Sequence, residues 1–183
     1  MRSRIFTVPN ELTLLRLAFL PFFIIAIKYD KFFAALAILV LGGLTDALDG
    51  FLARSLNQKT AVGAYLDPIA DKLLMSSSYV VLAFKGRIDW WLAILVLGRD
   101  VLLLAAAAVI LITVGYKPFP PSVWGKLTTA CEIFLVILVL VMAAWDQKNL
   151  AKVTEIFAYV VAGLIMISGL HYSIVVSRRL AAG

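Results

Sequence analysis

The chain has 183 residues, of which 63% are hydrophobic and 15% charged, and its mean hydropathy is +0.99. Soluble globular domains are about 45–50% apolar and about 25% charged, so the composition excludes a soluble enzyme and a disordered tail. The single cysteine, Cys131, excludes a disulfide scaffold. In so apolar a chain, the net charge of +6 indicates cytoplasmic loops and anionic lipid headgroups rather than nucleic acid.

The apolar segments predict an all-α, polytopic integral membrane protein with six transmembrane helices in a single domain over residues 1–183. A membrane-spanning helix needs about 20 residues, so six helices and their turns nearly fill the chain. We expect a short N-terminal segment near residues 3–9 to lie at the membrane interface, because Pro9, Asn10 and Glu11 interrupt the first apolar stretch. The predicted spans are 12–27, 32–53, 63–84, 90–116, 124–145 and 155–176, with a helix-breaking segment at 117–121.

Lysine and arginine in the short loops set the expected orientation, because they favour the cytoplasmic side. With the N-terminus inside, eight such residues are cytoplasmic and six are outside. The inside group is Arg2, Arg4, Arg54, Lys59, Lys117, Lys126, Arg178 and Arg179, and the outside group is Lys28, Lys31, Lys85, Arg87, Lys148 and Lys152. The count favours both termini in the cytoplasm.

Four aspartates lie inside the predicted spans, where charged residues mark function by default. Asp46 and Asp49 are near the end of the second span, and Asp67 and Asp71 are near the start of the third. Because consecutive spans alternate in direction, all four lie towards the cytoplasmic side. Carboxylates so close together would repel one another or take up protons unless a hard divalent cation neutralised them. The spacing therefore predicts a metal site that can also hold substrate phosphates.

The residues around these aspartates complete two helical stripes. The first stripe is Asp46, Asp49, Gly50, Ala53 and Arg54, and the second is Gly63, Asp67 and Asp71. The glycines leave room for a ligand to approach the backbone closely, and Arg54 can meet an anion.

The same residues form a longer pattern, Asp46-Ala-Leu-Asp49-Gly50-Phe-Leu-Ala53-Arg54, then eight residues, then Gly63-Ala-Tyr-Leu-Asp67-Pro-Ile-Ala-Asp71. This segment, 46–71, is similar to the signature of the CDP-alcohol phosphotransferases and matches all eight fixed positions with the family's spacing. At average composition, a chance match has a probability on the order of 10⁻¹⁰ per starting position. The resemblance implies transfer of a substituted phosphate from a CDP-linked lipid to an alcohol, with release of CMP.

The resemblance also implies a role for each signature residue. Asp46, Asp49, Asp67 and Asp71 would hold one or two Mg²⁺ or Mn²⁺ ions, and Asp71 would also be the catalytic general base. The implied CDP-binding residues are Asp46, Asp49, Gly50, Ala53, Arg54, Gly63 and Asp67, with Arg54 near the nucleotide phosphates. The family further implies a homodimer in the bacterial inner membrane, with the active site facing the cytoplasm.

Three other segments, 8–16, 99–100 and 124–129, resemble the bacterial phosphatidylglycerophosphate synthases of this family. Those enzymes use CDP-diacylglycerol and glycerol-3-phosphate. A phosphorylated acceptor needs fixed cations, and the candidates are Arg99, Lys126 and Arg16. Many such synthases carry Arg-Glu where this chain has Arg99-Asp100, however, and Arg-Asp together with segment 43–46 also resembles the cardiolipin synthases, whose acceptor is phosphatidylglycerol.

Several of these charged residues also have a purely structural interpretation. Arg99 and Asp100 are adjacent on one helix, so they do not face each other and each needs another partner. Lys126 can anchor the fifth span at the headgroups, and Glu132 can be the structural partner of such a cation. His171 is more typical of a hydrogen-bonded helix histidine than of a metal ligand.

An ion pathway is the alternative function from another class, since it also places acids among membrane helices. A pathway needs polar residues along its whole depth. The outer half of the predicted bundle is apolar apart from its loop ends, which favours a blind catalytic pocket.

Overall fold

A computed structural model describes residues 8–55, 61–114, 123–146 and 148–181. The described side chains run from residue 13 to residue 173, with gaps at 46–47, 49–69, 71, 106–122 and 147–148.

Within these ranges the chain forms six α-helices and no strand, as the apolar segments predict. The helices are α1 (Val8–Lys28), α2 (Phe32–Ser55), α3 (Ala61–Phe84), α4 (Trp90–Val114), α5 (Val123–Ala144) and α6 (Ala151–Ala181), with a 3-10 turn at Lys148–Leu150. Each predicted span coincides with one helix. The all-helical fold class is therefore confirmed.

The start of α1 differs from the sequence expectation. Val8, Pro9 and Asn10 belong to α1 rather than to a separate interfacial segment. Proline is tolerated there because the first turn of a helix does not use its own N–H groups. Residues 1–7 lie outside the described part of the chain.

Two tight turns reverse the chain at the end of the bundle away from the signature. Asp30 (φ 58°) joins α1 to α2, and Gly86 (φ 63°) joins α3 to α4; this left-handed region favours glycine and tolerates aspartate. The Lys85 ammonium lies 2.7 Å from the Asp30 carboxylate, and the Arg87 guanidinium lies over the Phe32 ring at 5.0 Å. These contacts stabilise the two turns. Because the chain reverses between consecutive helices, α1 and α3 run parallel and α2 runs antiparallel to both.

The helices pack around a shared interior. Helix α1 contacts α2 and α3, α5 contacts α2 and α6, and α4 contacts α3 and α6. The buried apolar core includes Phe23, Ile27, Leu39, Tyr79, Leu82, Leu92, Val96, Leu135, Val139, Leu140 and Val161. Among the described side chains, four charged residues are buried in the same interior: Arg16, Arg99, Asp100 and Glu132. The fold therefore buries charge as well as apolar surface.

The outer surface of the bundle is apolar. Large hydrophobic side chains are exposed along the helices, among them Phe22, Ile94, Leu102, Phe134, Ile156 and Leu170. In the described part of the chain, two helices, Val123–Ala144 and Ala151–Ser173, are long and apolar enough to cross a membrane, and shorter apolar helical stretches occur at Phe32–Thr45 and Lys72–Phe84. The six helices are confirmed; that all six cross a membrane stays a prediction.

Candidate active site

The signature lies on the end of α2 and the start of α3. Asp46 and Asp49 are in α2, and Asp67 and Asp71 are in α3. Helical spacing puts each pair on one side of its helix. Their side chains, and those at positions 50, 53, 54 and 63, lie outside the described part of the structure.

A contact between α2 and α3 shows how the two aspartate pairs align along the helices. A Cβ atom added to Gly42 would lie 3.6 Å from Leu74 Cδ2, so position 42 of α2 lies within about one helical turn of the level of position 74 of α3. Because both helices rise by about 1.5 Å per residue and run in opposite directions, Asp46 is nearly level with Asp71. By the same count, Asp49 is nearly level with Asp67. The backbone therefore brings both pairs to a similar depth in the bundle, to within about one helical turn.

Arg16 of α1 is buried beside this contact. Its Cγ lies 3.9 Å from the same Cβ position on Gly42, and the residue is 2% exposed. Arg16 thus lies where α1, α2 and α3 meet, about one helical turn from the level of Asp46. The position is close to the signature, and a role towards an acceptor phosphate stays a prediction.

Both terminal nitrogens of Arg99 in α4 donate to α5, while its buried Nε has no hydrogen-bond partner among the described residues. Its Nη1 donates to both Glu132 carboxylate oxygens, at 3.0 and 3.1 Å. Its Nη2 donates to the Gly125 carbonyl oxygen at 3.2 Å and to Thr129 Oγ1 at 3.4 Å. The Arg99 side chain is 4% exposed and that of Glu132 is 1% exposed. Arg99 therefore closes a buried ion pair between two helices.

Asp100 extends this ion pair to α3. Its Oδ1 accepts a hydrogen bond from the Lys72 ammonium and lies 3.5 Å from Arg99 Nη1. Lys72 directly follows the signature residue Asp71. The four residues Lys72, Asp100, Arg99 and Glu132 form a chain of alternating charge that joins α3, α4 and α5, which we call the charge chain.

The start of α5 is held from two sides. On one side is Arg99. On the other, the single Thr128 hydroxyl proton is shared between the Trp124 carbonyl oxygen, 2.7 Å from Oγ1, and the Leu164 carbonyl oxygen of α6, 3.3 Å from Oγ1. Lys126 lies between these contacts and is exposed. It is thus presented by a fixed segment of helix.

The sequence predicted that Arg99 and Asp100 each have another partner, and this is confirmed by Glu132 and Lys72. The expectation that the two do not face each other is wrong, since they also lie 3.5 Å apart. Glu132 is the structural partner of a cation, as expected, but that cation is Arg99 rather than Lys126. Sequence reasoning missed Lys72. The signal was available, since Lys72 is a charged residue within a predicted span. His171 Nδ1 is buried and has no hydrogen-bond partner among the described residues.

The chemistry of the signature fits a divalent metal, because carboxylate oxygens are the ligands that Mg²⁺ and Mn²⁺ prefer. The similar depth of the two aspartate pairs agrees with this chemistry. Among the described side chains, no group of three or more His, Cys, Asp or Glu residues could hold a metal ion. The metal site therefore stays a prediction about Asp46, Asp49, Asp67 and Asp71.

A cavity of about 150 Å³ opens at the other end of the bundle. Its lining includes Arg87, Asp89 and Glu155, and Trp91 stacks on Tyr159 there with ring centroids 5.4 Å apart. Because it lies between the far ends of α4, α5 and α6, this cavity is separate from the signature.

Comparison with known proteins gives a family match over nearly the whole chain. The sequence model of the CDP-alcohol phosphatidyltransferase family matches residues 6–174. The chain is 33% identical over 169 residues to the CDP-diacylglycerol–glycerol-3-phosphate 3-phosphatidyltransferase of Aquifex aeolicus, covering 91% of this chain and 94% of that protein. It is 33% identical over 178 residues to a probable phosphatidylglycerophosphate synthase of Mycobacterium tuberculosis, covering 93% and 82%. It is 39% identical over 127 residues to the human CMP-forming cardiolipin synthase, covering 68% and 41%.

The chain belongs to the CDP-alcohol phosphatidyltransferase family. It is an enzyme of phospholipid biosynthesis, a transferase. Membership favours the catalytic interpretation of the four aspartates over an ion pathway.

Proposed function

We propose that the protein transfers the phosphatidyl group of CDP-diacylglycerol to glycerol-3-phosphate, giving phosphatidylglycerophosphate and CMP. The observation that carries this proposal is the match to the Aquifex aeolicus enzyme, which covers both chains almost completely. The mycobacterial relative, named as a probable phosphatidylglycerophosphate synthase, supports the same acceptor over a similar length.

In this proposal the signature residues bind the donor and one of them starts the reaction. Gly50, Ala53 and Gly63 line the cytidine pocket, and Arg54 contacts the nucleotide phosphates. Asp71 accepts the proton of the acceptor hydroxyl. The hydroxyl oxygen then forms a bond to the phosphatidyl phosphorus while the bond from that phosphorus to the CMP oxygen breaks. Lys126 contributes positive charge for the acceptor phosphate.

The four aspartates Asp46, Asp49, Asp67 and Asp71 would hold one or two Mg²⁺ or Mn²⁺ ions. When bound, such ions neutralise the pyrophosphate charge and stabilise the leaving CMP. The register of α2 and α3 supports this assignment, since it brings Asp46 near the level of Asp71 and Asp49 near the level of Asp67.

Cardiolipin synthesis, with phosphatidylglycerol as the acceptor, is the second candidate. It is favoured by the 39% identity to the human cardiolipin synthase, which is higher than the identity to the Aquifex aeolicus enzyme. That match spans 68% of this chain and 41% of the human protein. We rank it second because the phosphatidylglycerophosphate synthase matches extend over more of both chains.

An acceptor screen tests the proposal. The purified protein in detergent is given CDP-diacylglycerol and Mg²⁺, and acceptors are added one at a time while CMP release and lipid products are followed. Phosphatidylglycerophosphate formed from glycerol-3-phosphate supports the proposal. Cardiolipin formed from phosphatidylglycerol, with no product from glycerol-3-phosphate, would replace it with the second candidate.

The remaining parts of the proposal concern location and assembly. We propose six membrane spans in the bacterial inner membrane, with the signature facing the cytoplasm, where glycerol-3-phosphate is available. We also propose a homodimer, from the family resemblance. Light scattering of the detergent complex after size exclusion measures this, and a protein mass of one 20.0 kDa chain would contradict it.

A further inference from the structure

The contacts of Arg99 bear on how the acceptor phosphate is bound. An arginine has five N–H donors. Four of them belong to Nη1 and Nη2, and these two atoms donate to Glu132, Gly125 and Thr129 on α5. The fifth, on Nε, is buried and has no hydrogen-bond partner among the described residues. The three contacts span residues 125–132, about two turns of that helix.

A phosphate that bound Arg99 directly would have to compete with Glu132. Both side chains are almost completely buried. Removing Arg99 from Glu132 would leave a buried carboxylate without its partner, which is strongly unfavourable. Asp100 lies 3.5 Å from the same guanidinium and adds a second negative charge. These surroundings suit a structural ion pair better than an anion-binding site.

We propose that Arg99 is a positioning residue that acts with Glu132 to fix the start of α5 and thereby Lys126. The pair holds α5 from the α4 side, and the Thr128 contact with α6 holds it from the other side. Lys126 lies one residue after Gly125, whose carbonyl accepts from Arg99, and its side chain is exposed. In this proposal Lys126 contacts the acceptor phosphate, and Arg99 sets the place of Lys126.

The charge chain ties this arrangement to the signature. Asp100 connects Arg99 to Lys72, and Lys72 is the neighbour of Asp71 in α3. The helix that carries the proposed general base and the helix that presents Lys126 are thus joined through α4. This inference rests on the proposed function, because it assigns the acceptor side of the same site.

Glu132→Gln separates the positioning role from direct phosphate binding. If Arg99 positions α5, this variant raises the KM for glycerol-3-phosphate by about tenfold and leaves the KM for CDP-diacylglycerol unchanged. If Arg99 binds the phosphate itself, Glu132→Gln frees the guanidinium, so the KM for glycerol-3-phosphate stays the same or falls. An unchanged or lower KM overturns the proposal.

A double variant tests whether the effect passes through Lys126. The positioning role predicts that Lys126→Met raises the KM for glycerol-3-phosphate and that adding Glu132→Gln changes it no further, because residues acting as one unit are not additive. Additive increases would mean that the pair acts on the acceptor independently of Lys126, and would overturn the proposal.

Two further variants provide an independent test and a control. Thr129→Val removes one hydrogen bond to Arg99 and keeps a similar shape, so it should raise the same KM by a smaller factor, even if Glu132→Gln fails to fold. In that case, an unchanged KM for glycerol-3-phosphate in a folded Thr129→Val protein overturns the proposal.

Asp30→Asn is the matched control. It also converts an acid of an ion pair to an amide, at the opposite end of the bundle, and should leave both KM values unchanged.

The assays also distinguish failure of the proposed function from failure of the positioning role. If the wild-type protein uses phosphatidylglycerol and not glycerol-3-phosphate, the proposed function is wrong. The same variants are then assayed with phosphatidylglycerol, whose phosphodiester presents an anionic phosphate to Lys126. A raised KM for that acceptor in Glu132→Gln supports the positioning role, and an unchanged KM overturns it.

Discussion

At the scale of single residues, Asp71 is the most consequential position of the proposed mechanism. Asp71→Asn removes the group that accepts the hydroxyl proton, and general bases contribute about 10²- to 10⁴-fold to rate. We expect kcat to fall by about that factor while the protein remains folded. CMP release and the unfolding temperature are measured together, with Asp89→Asn at the opposite end as the control. Full activity of Asp71→Asn would contradict the mechanism.

The partners of single charged residues were only partly predictable. The sequence predicted that Arg99 and Asp100 each have a further partner, because adjacent residues on a helix do not face each other, although the two side chains do approach to 3.5 Å. It did not show which partners, since Lys72 is 28 residues from Asp100 and Glu132 is 33 residues from Arg99. Such pairings depend on how helices align, and hydrophobic periodicity carries no information about that alignment.

Lys72 gives a second prediction at this scale. Lys72→Met leaves the buried Asp100 without its closest cation. Hydrogen bonds to charged groups contribute about 1.5–3 kcal/mol, and the Lys72 side chain is 30% exposed, so we expect a loss near the lower end. For a chain of this length, about 2–4 °C is lost per kcal/mol. The double variant Lys72→Met/Asp100→Leu removes the unpaired carboxylate and should recover stability, as measured by thermal unfolding in detergent. If stability is not recovered, the unpaired Asp100 carboxylate is not the cause of the stability lost in Lys72→Met.

At the scale of helices, the sequence predicted the elements better than it predicted the partners of single side chains. All six helices match apolar segments of the predicted length because each span must be long and continuously apolar. The register between α2 and α3 was not predictable, since it depends on which side chains of α3 and α1 contact position 42. The similar depth of the aspartate pairs follows from that contact.

Gly42 therefore gives a prediction about the helix packing. An added Cβ would lie 3.6 Å from Leu74 and 3.9 Å from Arg16, which is ordinary contact, so Gly42→Ala should keep activity. Gly42→Leu would push α2 away from α1 and α3 and should reduce CMP release by tenfold or more, on the order of a 1.4 kcal/mol cost. The adjacent Gly43 has nothing within 4 Å of its added Cβ, so Gly43→Leu is the matched control. Equal loss in both leucine variants would contradict the packing argument.

At the scale of the whole molecule, the open question is whether every helix crosses the membrane. The alternation of six spans requires that the turns at 29–31, 85–89 and 145–146 lie on one side and both termini on the other. Apolar composition identifies two helices of the described part as able to span. The other helices are described over shorter stretches, such as Phe32–Thr45 and Lys72–Phe84. Orientation must therefore be measured.

Cysteine labelling in intact bacterial cells makes that measurement. Cys131 is replaced by alanine to remove the native thiol, and Asp30→Cys, Asp146→Cys and Gly183→Cys are introduced one at a time. A maleimide that cannot cross the membrane should label positions 30 and 146 in intact cells, and position 183 only after the membrane is opened. Labelling of position 183 in intact cells, with 30 and 146 protected, would place the signature on the outer side, away from cytoplasmic glycerol-3-phosphate. Labelling of only one of the two turns would contradict six spans, because Asp30 and Asp146 then could not lie on the same side.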